Sequence, residues 1–258
     1  IWAGSDDGRV HLTRDDGENW REVTPPGMEE ACVNAIEVSP HDPAAAFLAV
    51  HRYKWNDLRP LIYYTDDYGL TWSLISHGID SEHFVRVVRE DPVRPGLLYA
   101  GTEGGLYLSF DFGRAWHRFQ LNLPVCPITD LIVHQGDLVA ATMGRGLWIL
   151  DDLSALQQSG GRLGSVMRLF DPRPAVRFEA ALPEGPVPGL GQNPPNGLAI
   201  DYYLPAAPDT ARLRLQILDT AGEVIRDFSS SASVRPSLPA RRGVHRFYWD
   251  LRRASLPA

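Results

Sequence analysis

The chain has 258 residues, 44% of them hydrophobic, and a formal net charge of −7, values that fit one large globular domain or two ordinary ones. It has no apolar run of the roughly 18 to 20 residues that a membrane-spanning helix requires. Residues 1–164 carry 23 acidic and 13 basic side chains, an excess of negative charge that argues against nucleic acid as a partner.

The sequence begins inside an apolar stretch, IWAGS, that predicts a β-strand. Because it opens in this way and without Met, we expect the chain to be a fragment or a processed form of a longer parent protein. Cys32 and Cys126 precede apolar runs at similar positions two repeats apart. We expect them to lie too far apart for a disulfide and to remain free thiols.

One pattern, Ser/Thr-x-Asp-x-Gly-x-x-Trp, occurs three times, as TRDDGENW at 13–20, TDDYGLTW at 65–72 and SFDFGRAW at 109–116. The copies are 52 and then 44 residues apart, which is the spacing of propeller blades. An apolar triplet precedes each copy, and a fourth unit, ATMGRGLWILDD, keeps the triplet without the Asp motif.

Each full repeat is predicted to form four short strands, which we name A to D. In the third repeat the predicted strands are 84–90, 97–102, 106–110 and 115–120. The first unit has only strands B, C and D, and the fourth has only A, B and C. The sequence therefore predicts an all-β fold whose residues 1–152 form an incomplete β-propeller, with the remaining blades in the parent chain.

The repeated motif lies between strands C and D, where it is predicted to hold a hairpin turn. Glycine would supply a positive φ, aspartate would accept backbone hydrogen bonds, and tryptophan would pack against the neighbouring sheet. A catalytic aspartate would have to differ from its copies, so repetition favours this structural role. The predicted structural residues are Thr13, Asp15, Gly17, Trp20, Thr65, Asp67, Gly69, Trp72, Ser109, Asp111, Gly113 and Trp116.

The alternation of antiparallel strands places the loops on two opposite rims of a propeller. The A–B and C–D turns share one rim, which we call the box rim because it carries the Asp motifs. The B–C and D–A loops share the other, which we call the loop rim. Since the longer loops are on the loop rim, we expect function there.

The repeated turn resembles the Asp box, or bacterial neuraminidase repeat, of sialidases, xyloglucanases and sortilin receptors. Over about residues 1–152 the chain is similar to large bacterial Asp-box proteins, often labelled glycosyl hydrolase or sortilin-like. The stretches that carry the likeness are RPLIYYTDDYGLTW, VVREDPVRPGLLYAGTEGGLYLSFDFGRAW and ATMGRGLWILDD. Met143 stands where those proteins more usually have His. The resemblance implies a propeller within a longer, exported protein, secreted or periplasmic, but implies no particular chemistry.

The composition changes after residue 152. Residues 153–167 are predicted to be a linker that starts with a short helical turn. A Pro/Gly-rich loop at 183–197, which no sheet interior would accept, precedes the strand-like runs. These strands, predicted at 198–204, 213–219, 223–228 and 244–251, suggest that residues 168–258 form a small β-sandwich of the fibronectin or immunoglobulin kind, which we expect to be truncated. It resembles the sandwich that follows the propeller in the same bacterial proteins.

The loop-rim residues 51–60, HRYKWNDLRP, are the longest insertion between strands B and C. Its aromatic side chains are suited to stacking on a sugar or a peptide. The alternative interpretation is a loop that only covers the next blade. The candidate ligand-binding residues are His51, Tyr53, Trp55, Arg59 and Arg145.

Acidic residues on the same rim raise the possibility of a glycoside hydrolase, which needs two carboxylates about 5 to 5.5 Å or about 6.5 to 9.5 Å apart. The weak catalytic candidates are Asp80, Glu82 and Glu103. A sialidase would instead need an arginine cluster for the substrate carboxylate and a tyrosine nucleophile, and we assign no residues of this sequence to those roles. The scattered histidines predict no metal site, and no cofactor-binding motif is present.

These observations predict an exported binding or scaffold protein that recognises a glycan or a peptide on the loop rim. The alternative function is a sialidase- or xyloglucanase-like glycoside hydrolase. A third possibility is an assembly platform whose acidic face contacts another protein.

Overall fold

The computed structural model describes residues 1–176, 195–208, 213–231 and 236–253. The chain divides into two compact units, Ile1–Leu153 and Ser154–Ala258. Within the described residues no helix has both the length and the apolar character needed to cross a bilayer.

The first unit consists of short antiparallel strands joined by turns. Its strands are β1 (Trp2–Gly4), β2 (Val10–Leu12), β3 (Arg21–Glu22), β4 (Cys32–Val38), β5 (Ala46–Arg52), β6 (Asp57–Thr65), β7 (Ser73–Leu74), β8 (Val85–Glu90), β9 (Leu98–Thr102), β10 (Gly105–Ser109), β11 (His117–Arg118), β12 (Ile128–His134), β13 (Asp137–Thr142) and β14 (Leu147–Leu150).

The strands form four sheets with the predicted strand composition. Sheet 1 is β1-β2-β3, sheet 2 is β4-β5-β6-β7, sheet 3 is β8-β9-β10-β11 and sheet 4 is β12-β13-β14. In each sheet the order in space follows the order in sequence, so every sheet is a meander. Two complete four-stranded blades flanked by two three-stranded ones confirm the all-β fold and the incomplete propeller.

Adjacent sheets pack face to face through two buried clusters. One cluster joins sheets 2 and 3 and contains Phe47, Ile62, Leu98, Tyr107 and Trp116. The other joins sheets 1 and 2 and is built around residues such as Val10, Leu48 and Val50. Sheet 2 therefore buries apolar side chains against both of its neighbours, sheet 1 and sheet 3.

Strands A and B of three sheets share an irregularity that the sequence did not reveal. The register between them shifts between Val33 and Ala35, between Val85 and Val87, and between Ile128 and Asp130. Such a bulge leaves one extra residue in strand A and redirects its side chain. In sheet 3 the extra residue is Arg86, whose side chain reaches the loop rim.

The Asp boxes form the predicted C–D turns. In the second box the Thr65 Oγ1 donates to the Asp67 Oδ1 at 2.8 Å and accepts the N–H of Gly69 at 2.9 Å. Asp67 Oδ1 also accepts the N–H of Thr71 at 2.9 Å. The equivalent residues are Thr13, Asp15, Gly17 and Asn19 in the first box, and Ser109, Asp111, Gly113 and Ala115 in the third.

In the second and third boxes glycine is required for space as well as for its positive φ. A Cβ on Gly69 would lie 2.8 Å from the Val23 Cβ, and one on Gly113 would lie 2.5 Å from the Ile75 Cδ1. Val23 and Ile75 directly follow strand D of the preceding sheet. Each of these turns therefore packs against the preceding blade as well as joining its own strands.

The box tryptophans were predicted to pack against the neighbouring sheet, and this is wrong for the first one. Trp116 is 3% exposed and Trp72 is half-buried, and their Nε1 atoms donate to the carbonyls of Ile75 and Val23, at 2.5 and 2.7 Å. Trp20 is 47% exposed. Burial of a box tryptophan needs a preceding sheet, and the described residues place none before sheet 1.

We expect Asp67→Asn to destabilise the first unit at neutral pH and to reduce its sensitivity to acid. Hydrogen bonds, above all from the Thr71 hydroxyl, lower the pKa of Asp67 from 3.8 to about 2. A carboxyl with a depressed pKa in the folded state stabilises the fold above its unfolded pKa, and that contribution is lost as the pH falls from 3.8 through about 2.

Urea unfolding at several pH values across this window measures the effect. Asp66→Asn is the matched control, because Asp66 is the exposed neighbour in the same turn. Identical pH dependence in the wild type and in Asp67→Asn would contradict the structural role of the box carboxylate.

The second unit contains the short helix α1 (Ser154–Ser159) and two small sheets. Its strands are β15 (Arg168–Leu169), β16 (Leu198–Leu204), β17 (Arg214–Leu218), β18 (Val224–Ser229) and β19 (Gly243–Trp249). The sheet β15-β16-β19 and the hairpin β17-β18 contribute side chains to one apolar cluster. The predicted fibronectin- or immunoglobulin-like sandwich stays a prediction, and residues 183–194 of the predicted Pro/Gly loop lie outside the described residues.

Candidate functional site

The candidate site is on the loop rim of sheets 2 and 3, between the B–C hairpin of sheet 2 and the D–A segment that leads into sheet 3. The predicted 51–60 loop is mostly strand, since β5 continues to Arg52 and β6 starts at Asp57. A single 3-10 turn, Tyr53–Trp55, connects the two strands. It ends at Asn56, which has a left-handed φ of 60°. The insertion is therefore an ordered hairpin tip.

His51 lies beneath this hairpin tip and is only 4% exposed. Its ring is 4.7 Å from the Tyr53 ring and 5.6 Å from the Phe84 ring, measured between centroids. Burial, with smaller contributions from Arg86 and Lys54, lowers the pKa of His51. Its buried Nδ1 has no hydrogen-bond partner among the described residues. His51 thus supports the aromatic surface from below and does not present a charged ring to solvent.

Tyr53 and Trp55 form the exposed part of the surface, at 41% and 40% exposure. The Tyr53 ring stacks on the Phe84 ring with a centroid distance of 4.9 Å and an angle of 22° between planes. Because Phe84 is buried and precedes strand β8, it fixes the orientation of Tyr53. An aromatic ring held in this way can stack on a ligand with little loss of side-chain entropy.

Arg59 is engaged within its own hairpin. Its guanidinium donates to both carboxylate oxygens of Asp57, at 2.9 and 2.7 Å. Hydrogen bonding to Arg59 lowers the pKa of Asp57 to about 2, and Arg52 lies 3.9 Å away from the same carboxylate. One acidic side chain thus holds two arginines at the base of the hairpin tip. Lys54, on the tip itself, has no ion pair among the described residues.

Arg86 is the residue of the site that sequence reasoning missed. Its Nε and Nη2 donate to the Glu103 Oε2 at 2.9 and 2.7 Å, and its guanidinium carbon lies 5.0 Å from the centre of the Phe84 ring. The bulge in strand A of sheet 3 places Arg86 there, and only the spacing between strands A and B hints at such a bulge. The Arg86–Glu103 ion pair therefore forms a polar edge beside the aromatic surface.

The three weak catalytic candidates have different surroundings. Glu103 is neutralised by Arg86. Asp80 accepts the N–H of Glu82 at 3.0 Å and so stabilises a turn of the D–A segment. Glu82 is exposed. Among the described residues, no side chain bridges any two of these carboxylates by a hydrogen bond or an ion pair.

Arg145, the remaining predicted binding residue, is exposed on the B–C hairpin of sheet 4, where its carbonyl accepts the Trp148 Nε1–H at 3.0 Å. No described contact connects it with the hairpin tip of sheet 2. In the part of the chain that the structure describes, no group of three or more His, Cys, Asp or Glu side chains is placed to hold a metal. Cys32 and Cys126 are both free thiols, as predicted.

No protein-family model matches the sequence, and no curated protein matches it. Among solved structures, the chain is similar to YCF48 bound to D1 peptide, with 18% identity and a TM-score of 0.45 over 58% of this chain and 47% of that one. It is also similar to the GH74 xyloglucanase from Xanthomonas campestris, with 14% identity and a TM-score of 0.47 over 78% of this chain and 32% of that one.

A third similar structure is an ancestral GH74 enzyme, with 13% identity and a TM-score of 0.46 over 89% of this chain and 31% of that one. The chain thus spans less than half the length of the YCF48 chain and about a third of either GH74 chain. The description as a propeller depends on the repeated sheet order and on the packing between sheets.

Proposed function

We propose that the loop rim of sheets 2 and 3 is a binding surface that takes a glycan or an extended peptide by stacking on Tyr53 and Trp55. The observation that carries the proposal is the pair of exposed aromatic rings, one of which is fixed by stacking on buried Phe84. Exposed aromatic side chains that are already oriented are a common basis for ligand recognition. The Arg86–Glu103 pair beside them offers hydrogen-bonding groups to the same ligand.

A binding role fits these side chains better than hydrolysis does. A retaining or an inverting glycosidase needs two carboxylates free to act on the substrate. Here Glu103 is paired with Arg86, and Asp80 caps a turn. Two of the three candidate acids, Glu103 and Asp80, are therefore occupied in holding the surface in shape.

Binding of xyloglucan oligosaccharides and of a peptide library to the purified protein tests the proposal. For any ligand found, Trp55→Ala should weaken binding about tenfold, which corresponds to the loss of one aromatic stacking contact. Tyr53→Ala should have a similar effect. Isothermal titration calorimetry gives the dissociation constants, and thermal unfolding verifies that each variant is folded.

Trp20→Ala is the matched control, because Trp20 is an equally exposed indole on the opposite rim. A ligand whose affinity drops in Trp20→Ala but not in Trp55→Ala would place the binding surface elsewhere. Release of reducing sugar that stops in Glu82→Gln would replace the binding role with that of a hydrolase.

A further inference from the structure

A cleft between sheets 3 and 4 has the lining of the site that holds a box tryptophan elsewhere in the propeller. Its cavity volume is about 50 Å³, it opens to solvent, and it is mostly apolar. Its lining residues include Leu106, Phe119, Leu138, Ala140 and Trp148. All of them belong to the first unit.

The internal repeat relates this cleft to the occupied site between sheets 2 and 3. Trp116 occupies that site, surrounded by a cluster that includes Ile62, Leu98, Ala100 and Tyr107. The positions that correspond to these cluster residues in the next pair of sheets are Leu106, Leu138, Ala140 and Trp148. All four line the cleft, and no Asp-box tryptophan of the described residues occupies it.

The backbone acceptor for the indole also recurs. The residue after strand D donates its N–H to strand C of the same sheet in all three cases, from Val23, Ile75 and Phe119, at 2.8, 2.8 and 2.9 Å. The carbonyls of the first two accept the Nε1–H of Trp72 and Trp116. The Phe119 carbonyl is the third acceptor of this series, and Phe119 lines the cleft.

The strand edge next to the cleft has no partner among the described strands. β14 is the last strand of sheet 4, whereas the equivalent strands β6 and β10 pair with a strand D. That pairing uses Tyr107 and Leu108 in sheet 3, so the matching residues in β14 are Trp148 and Ile149. Leu147 and Ile149 are exposed there. An edge with exposed apolar side chains favours addition of another strand.

We propose that the cleft and the β14 edge together bind a strand D that carries an Asp-box tryptophan and is supplied by another polypeptide segment. Within the described residues Trp72 and Trp116 occupy their own sites and Trp20 precedes strand D of sheet 1, so no Asp-box tryptophan fills the cleft. An intact second copy of this chain is poorly suited to supply that strand. A strand D pairs with strand C through one edge, and in β3 that edge is already hydrogen-bonded to β2. The indole enters the cleft with its N–H toward the Phe119 carbonyl, and the strand pairs antiparallel with β14.

A peptide with the sequence of residues 109–120, SFDFGRAWHRFQ, is the probe, because it contains a complete box and strand D of this protein. The labelled peptide should bind the full chain saturably in fluorescence anisotropy, and the same peptide with alanine in place of its tryptophan should bind at least about tenfold more weakly. Hydrogen exchange should show new protection at the amides of Leu147 and Ile149, because the residues of a strand alternate in the edge they face and Trp148 faces Ala140 of β13.

Ala140→Phe fills the cleft and should abolish peptide binding, with circular dichroism to verify the fold. Should this variant fail to fold, the pair of peptides on the unchanged protein still decides the matter. Equal binding of both peptides, or no binding of either at millimolar concentration, overturns the proposal. A dimer of the protein alone that Ala140→Phe converts to monomer also overturns it, because a second copy would then fill the cleft.

Discussion

Trp116→Ala should lower the free energy of unfolding of the first unit by about 3 to 5 kcal/mol, the range seen when a large aromatic side chain is removed from a core. Trp116 is buried among apolar residues of sheets 2 and 3, and its Nε1–H is bonded to the Ile75 carbonyl. The substitution removes the side chain from this cluster and leaves the buried carbonyl without its donor, and both changes destabilise the fold.

Trp20→Ala provides the comparison within the same molecule. Trp20 is in the same position of the same motif, but it is exposed, and a surface substitution of this kind changes stability by roughly 0.5 kcal/mol or less. Urea unfolding followed by circular dichroism measures both variants. Equal losses in the two would show that the tryptophan acts within its own turn and not between sheets.

The contrast between these two tryptophans shows what the sequence can and cannot predict. The strand order followed from the repeat, because turn residues and apolar triplets recur at fixed spacing and each sheet is built from consecutive strands. The burial of Trp20 was predicted wrongly, because burial depends on the presence of a neighbouring sheet and not on the motif.

The candidate site was predictable only in part, for a similar reason. Tyr53 and Trp55 were predicted as surface residues from the length of the B–C insertion, and both are exposed. His51 is buried instead, because β5 extends through it and Phe84 covers it from the next sheet. Arg86 was missed because its direction is set by a one-residue bulge, and no residue type in the sequence marks that bulge.

A further element that sequence alone did not reveal is Arg89, which links three sheets. From strand A of sheet 3 its guanidinium donates to the Leu131 carbonyl at 2.8 Å and to the Asp130 Oδ1 at 2.9 Å, both in sheet 4. It also lies 3.4 Å from the Glu37 Oε2 in sheet 2. Arg89 and Glu37 are both mostly buried, so water screens their interaction only in part.

Arg89→Ala should therefore destabilise the first unit by about 2 kcal/mol, because charged hydrogen bonds are lost and Glu37 is left partly buried without its cation. Arg89→Lys should recover only part of this, since an ammonium group cannot reach acceptors in two directions as a guanidinium does. Arg114→Ala, which removes an exposed arginine from the third Asp box, is the control and should change stability little.

The pH dependence of the Arg89→Ala variant tests the role of Glu37 in particular. Burial already raises the pKa of Glu37 above 4.5, and Arg89 opposes that rise. Without Arg89 the pKa rises further, so the variant carries an added penalty while Glu37 is ionised. This penalty is absent below the unfolded pKa and grows as the pH rises through the folded one, so the deficit relative to the wild type should shrink as the pH is lowered toward 4.5. A deficit in unfolding free energy that stays constant over this range would show that Arg89 acts through its backbone acceptor and its packing, and not through the carboxylate of the neighbouring blade.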